Sequence, residues 1–105
     1  MAVSLTVLDQ IANVTLSATP NNATEVTFPT FANQFTVRFV GAAGKIADTG
    51  TDGSPIGAVF LTVSADSTVD VELENRPGNV TRQVRYFASA TANTVVQIVP
   101  VRSSL

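Results

Sequence analysis

Valine, threonine and isoleucine make up 34 of the 105 residues, and this β-branched third constrains the fold more than any other feature. Two heavy atoms on Cβ restrict χ1, which disfavours helix and suits a pleated, half-buried surface. Straight-chain helix formers are sparse: 6 Leu, 4 Gln, 3 Glu, 1 Lys and 1 Met. No window of helical length carries a sustained apolar stripe, whereas alternation with a period of two recurs along the chain. Residues 34–40 are the clearest case, with Phe35, Val37 and Phe39 on one face and Thr36 and Arg38 on the other. Val14 joins Leu16, Val26 joins Phe28, and residues 68–74 set Val69, Val71 and Leu73 against Asp70, Glu72 and Glu74. In residues 82–88, Val84 and Tyr86 oppose Arg85 and Phe87. Residues 56–63 are apolar on both faces, as are residues 94–101 except at Gln97, which predicts strands covered on both sides.

Turn chemistry separates these segments. Thr19-Pro20-Asn21-Asn22, Pro29, the link Gly41-Ala42-Ala43-Gly44, the Gly/Asp/Thr/Ser-rich residues 48–55 and Asn75-Arg76-Pro77-Gly78-Asn79 all supply preset or positive φ. There is no internal linker and no repeat. The spacing predicts one all-β domain over residues 1–105, a small antiparallel β-sandwich of about seven or eight short strands, with a small barrel as the alternative. Residues 1–12 are less patterned and are read as an edge strand or an arm.

The chain has no His, no Cys and no Trp. It therefore lacks an imidazole base, a thiolate, a zinc or copper site of ordinary type and a disulfide, so no cofactor or metal is expected and the chain is not read as an enzyme. A net charge of −2 with a single Lys argues against a nucleic-acid partner. No apolar run approaches about 18 residues, so no membrane span is expected. Residues 1–18 have no positive n-region, and Asp9 and Gln10 interrupt their apolar stretch, which fits synthesis in a cytoplasm without a leader. Charged residues are 13% of the chain, against about 25% in an ordinary soluble domain. Mean hydropathy is +0.28. A small domain has much surface for its volume, so charge this thin points to a protomer partly covered in an assembly. The alternative is a monomer solubilised by its 22 Ser and Thr hydroxyls.

Several motifs invite a sharper reading. Asp48-Thr49-Gly50 after Ile46-Ala47 is similar to the catalytic triplet of retroviral-type aspartic proteases, in which two carboxylates share a proton across a dimer axis. In that family the triplet comes early and a Gly-Arg-Asn or Gly-Arg-Asp segment follows downstream; here 47 residues precede Asp48 and no such segment follows. Asp48, Asp52 and Gly53 suggest a calcium loop, but the EF-hand positions that need Asp or Asn and then Glu hold Gly50 and Val59. Gly41 to Lys45 has the wrong spacing for a phosphate loop, and Ile46 replaces the magnesium-binding hydroxyl. Each is read as turn chemistry, and the sequons at Asn13, Asn22 and Asn79 as chance. Arg76, Arg82, Arg85 and Arg102 are read as solvated strand residues paired with Asp70, Glu72 and Glu74 rather than as a basic patch.

Residues 34–101 resemble the small β-sandwich virion proteins of tailed bacteriophages. The carrying segments are Phe35-Thr36-Val37-Arg38-Phe39-Val40, the Gly/Thr-rich residues 41–53, Phe60-Leu61-Thr62-Val63 with residues 64–67, and the late small-residue loop that runs from Tyr86-Phe87 to Val95-Val96. The likeness covers about two-thirds of the chain and is one of composition, rhythm and length. It implies a capsid decoration (cement) protein that binds the outer shell and stabilises contacts between major capsid proteins, as a homo-oligomer or in another symmetric assembly on the virion surface. A carbohydrate- or receptor-binding module of a phage fibre or tail is the alternative. Residues 2–8 and 99–105 are candidate arms for strand addition to neighbours. The expected interface residues are Val3, Leu5, Val7, Phe31, Phe87, Val99, Val101 and Arg102, with Phe87 included because one of Tyr86 and Phe87 should face outward.

Overall fold

A computed structural model describes residues 3–4, 12–28, 34–57, 60–72 and 84–100. Among the described residues nine strands follow in order: β1 (Val3–Ser4), β2 (Ala12–Thr15), β3 (Thr24–Thr27), β4 (Gln34–Val40), β5 (Gly44–Ala47), β6 (Leu61–Val63), β7 (Thr68–Glu72), β8 (Val84–Ala88) and β9 (Val95–Pro100). They form a five-stranded sheet, β1-β3-β8-β5-β6, and a four-stranded sheet, β2-β9-β4-β7. Every pairing among these strands is antiparallel except β1 with β3. The two sheets pack as a β-sandwich. Among the described residues no helix is long and apolar enough to cross a membrane.

The alternation sets which side chains meet between the sheets. In an antiparallel ladder, residues paired in register share a face. Val26 and Phe28 come from the β3 segment and Phe87 and Ile46 from β8 and β5; they meet Phe35, Val37, Phe39, Val96 and Ile98 of the other sheet. Phe28 lies 4.6 Å from Phe35 and 6.4 Å from Phe87, centroid to centroid, and Phe39 lies 6.2 Å from Phe87. These tilted pairs at 4.6–6.4 Å are the favourable arrangement of aromatic quadrupoles. β9 lies between β2 and β4, as its two-sided apolar pattern predicts.

Three expectations are corrected. Residues 41–44 were expected as a link, yet Gly44 begins β5, a central strand. Its glycine is required because a Cβ there would run into the Phe39 ring. Residues 56–63 were expected to be covered on both sides, yet the strand described there, Leu61–Val63, ends its sheet, with Leu61 52% and Phe60 37% exposed. Phe87 was expected at the surface, yet it is fully buried, and its neighbour Tyr86 faces the outer side.

Residues 48–57 do more than turn the chain. From β5 they cross the outer side of the five-stranded sheet, with Gly50 against the Tyr86 ring. They then run beside residues 21–25: Gly53 N–H donates to Ala23 O (2.8 Å), Ala23 N–H to Ser54 O (2.7 Å) and Ile56 N–H to Asn21 O (2.9 Å). An Asn22–Pro55 bridge completes this miniature ladder. Buried Ala47 and Ala88 therefore lie on the outer side of a sheet that is covered from above.

Candidate functional site

On one side of the sandwich no described strand lies beyond β6 and β7. β6 ends one sheet and β7 ends the other, and between them lies a groove of about 590 Å³. Its walls include Ile46 from β5, Phe60 and Leu61 at β6, and Asp70 and Val71 of β7, with Asp48 and Arg85 at one end. Leu61 pairs with Ile46, so both point between the sheets. Arg85 reaches the groove by strand alternation: two residues before buried Phe87 it shares the inward face. Its side chain is 15% exposed. Arg85 Nε lies 3.2 Å from Asp48 Oδ1, and Arg85 Nη1 donates to Val84 O at 2.9 Å. Asp48 itself is 85% exposed on the rim. Asp70 accepts a hydrogen bond from Thr36 Oγ1 (2.9 Å) on the outer side of β7. The groove thus has apolar walls, with the Asp48–Arg85 ion pair beside them.

A second polar cluster fastens residues 48–57. Asp52 Oδ1 accepts the Glu25 backbone N–H at 2.9 Å, which holds the Asp52 carboxyl below its ordinary value. Tyr86 OH donates to Glu25 Oε1 at 2.9 Å; this bond to a carboxylate, together with desolvation, pushes the phenol above its ordinary value. Lys45 Nζ donates to Asn21 Oδ1 (3.2 Å) and lies 4.7 Å from the centroid of the Phe60 ring. These groups have structural partners, and the cluster acts as a clasp.

Asp48 of the protease-like triplet faces Arg85, while Asp52 faces a backbone amide, so the two carboxylates point at different partners. Among the described residues no group of three or more Asp, Glu, His or Cys is placed to hold a metal ion. Of the residues expected at an interface, Val99 lies on the outer face of the four-stranded sheet, across from Thr36, and is half-buried. Val3 sits in β1 at the rim of the five-stranded sheet. Leu5, Val7, Phe31, Val101 and Arg102 lie outside the described residues, as do Arg76 and Arg82. Arg85 pairs with Asp48, and Glu74, one of its expected partners, lies outside the described residues. Phe60 and Leu61 were not singled out as site residues; their signal was the apolar run itself, which belongs equally to a buried strand. No family model matches the chain, and neither a curated protein nor a solved structure matches it.

Proposed function

We propose that this chain is a structural virion protein, a capsid decoration (cement) protein that binds the outer shell and stabilises contacts between major capsid proteins. The observation that carries the reading is a close-packed sandwich with few charges and exposed apolar side chains at one edge: 13% charged residues, with Leu61 and Phe60 exposed beside the groove. A surface of that kind favours association over isolation. The polar groups resolved at the groove and beneath residues 48–57 are engaged in holding the fold, which suits a binding role. The likeness of residues 34–101 to small phage virion sandwiches supplies the kind of partner. Weak contacts repeated around a shell add by multivalency, so each interface can be small.

Analytical ultracentrifugation of the purified chain, alone and with undecorated capsid shells, tests the reading. Co-sedimentation with shells is expected. A chain that stays in the supernatant as an inert monomer rejects it.

A further inference from the structure

We propose that the link Asp52-Gly53 is a self-modification site, at which the Gly53 nitrogen closes on the Asp52 side chain to a succinimide that water reopens to isoaspartate, and that the hydrogen bonds holding residues 48–57 against residues 21–25 set its rate. The reaction needs no partner, so it stands whether or not the chain binds a shell.

Three observations carry it. The first is the link itself: in all 105 residues, Asp or Asn precedes Gly only here. Glycine has no Cβ to hinder its nitrogen from turning onto the preceding side chain, and it reaches backbone angles closed to other residues. Gly53 is exposed, at φ +81°. The second is restraint. Asp52 Oδ1 accepts the Glu25 N–H at 2.9 Å, and Gly53 N–H donates to Ala23 O at 2.8 Å. While both bonds stand, the nitrogen is turned away from Asp52 Cγ. The amide donor also favours the ionised carboxylate, which is the poor electrophile. The third is that the latch lies at the surface. Asn22 Nδ2 donates to Gly53 O at 2.8 Å in an exposed position, and such loop bonds open locally without global unfolding. Asp66-Ser67, in an exposed turn, is the internal comparison. Its carboxyl is held likewise, by the Gly41 N–H at 2.9 Å, but its next residue carries a side chain.

The step balances without a co-reactant. When the latch opens, the Gly53 nitrogen attacks Asp52 Cγ and a C–N bond forms. The amide hydrogen and the carboxyl OH leave together as water. Water then adds to the cyclic imide. Opening at the side-chain carbonyl restores Asp52. Opening at the main-chain carbonyl breaks the original peptide C–N bond and leaves the chain running through the Asp52 side chain. No electrons are exchanged. The isoaspartyl main chain is longer by one methylene. The bonds between Gly53 and Ala23, Ala23 and Ser54, and Ile56 and Asn21 depend on register, so the added methylene puts them out of step. Residues 48–57 then lose their hold on the outer side of the five-stranded sheet, where Gly50 lies against the Tyr86 ring and Ala47 and Ala88 are buried. Time spent open is thereby converted into a lasting change at this face.

The test incubates the full chain at neutral pH, native and in urea, and reads isoaspartate site by site from peptide maps by electron-transfer mass spectrometry. Isoaspartate is expected at Asp52 ahead of Asp66, forming about ten- to a hundredfold more slowly in the native chain than in urea. Asn22→Ala removes the side-chain bond to Gly53 O and leaves the backbone ladder. It should raise the native rate about two- to tenfold, leave the rate in urea unchanged, and quicken exchange of the Gly53 amide by the same factor, because both events need that N–H released. Asp52→Glu, whose longer side chain disfavours ring closure, should form no rearranged link at residue 52. The isoaspartyl protein, separated by ion exchange, should exchange faster than the starting protein at Ala23 and Ile56. Equal rates in native and urea samples, a native chain that never converts, or isoaspartate at Asp66 before Asp52 would each overturn the proposal on the unaltered chain alone. Faster Gly53 exchange in Asn22→Ala without faster isomerisation would overturn the control by these bonds. An isoaspartyl protein with the exchange pattern of the starting protein would overturn the release of residues 48–57.

Discussion

Thr24 is 2% exposed and its hydroxyl has no hydrogen-bond partner among the described residues. It faces inward, paired with Phe87 and two residues from Val26, both part of the apolar core. A buried hydroxyl without a partner costs about 1–3 kcal/mol relative to an apolar group of the same shape. Thr24→Val is therefore expected to stabilise the protein by about 1 kcal/mol, read as a higher urea midpoint at unchanged m-value. Gly44 is the opposite case. An added methyl meets the Phe39 ring in a filled core, so Gly44→Ala should cost about 1–3 kcal/mol in the same assay. Neither residue declares itself in the sequence: a threonine in a strand is ordinary, and the glycine reads as a turn. Alternation correctly set Tyr86 and Phe87 on opposite faces. It could not say which face is the inside, because that depends on where the second sheet lies.

The segment of residues 48–57 shows what a loop can do once a sheet lies beneath it. Its composition reads as a turn between strands, and turn chemistry is present: Gly53 has φ +81°, which a residue with a Cβ adopts only under strain. Its course across the sheet depends on partners far away in the chain, above all the Glu25 backbone N–H and the Tyr86 ring. Two pH dependences follow. Asp52 has a lowered folded-state value, so its stabilisation is present above the ordinary value of 3.8 and is lost as pH falls through the folded-state value. Tyr86 has a raised value, so its contribution is present below the ordinary value of 10.0 and is lost as pH rises through the folded-state value. Asp52→Asn should accordingly flatten the acid limb of a stability–pH profile, and Tyr86→Phe the alkaline limb. A profile whose two limbs are unchanged by these variants would disprove the clasp. In Asp52→Asn, hydrogen exchange should also quicken at Gly53 and Ala23, whose amides close the miniature ladder.

At the scale of the molecule, the radius of gyration is 12.9 Å, matching the roughly 13 Å expected of a single compact domain of this length. The core is assembled from non-local pairs: β4 joins β9, and β3 joins β8. Loop-closure entropy must be spent before such pairs form, so two-state refolding in about milliseconds to seconds is expected by stopped-flow fluorescence of Tyr86. Refolding within microseconds would contradict this topology. The all-β class, the sandwich, and the limits of β4, β7 and β9 to within about two residues were legible from β-branched content and period-two patterning. β5 was not, because Gly44 and Ala47 have little strand propensity and only burial between β8 and β6 makes them a strand. The groove was not legible either. An apolar run on both faces is compatible with a central strand or with an exposed edge, and neighbours decide between them. What the sequence determined by itself is local: which residues favour a pleated backbone, which side chains share a face, and where the chain turns. What only the tertiary structure decided is which face became the inside, which strands became edges, and that Asp48, Asp70, Arg85 and Leu61 surround one groove. Those outcomes depend on pairings between residues distant in the chain, whose energies come from contacts that no single segment contains.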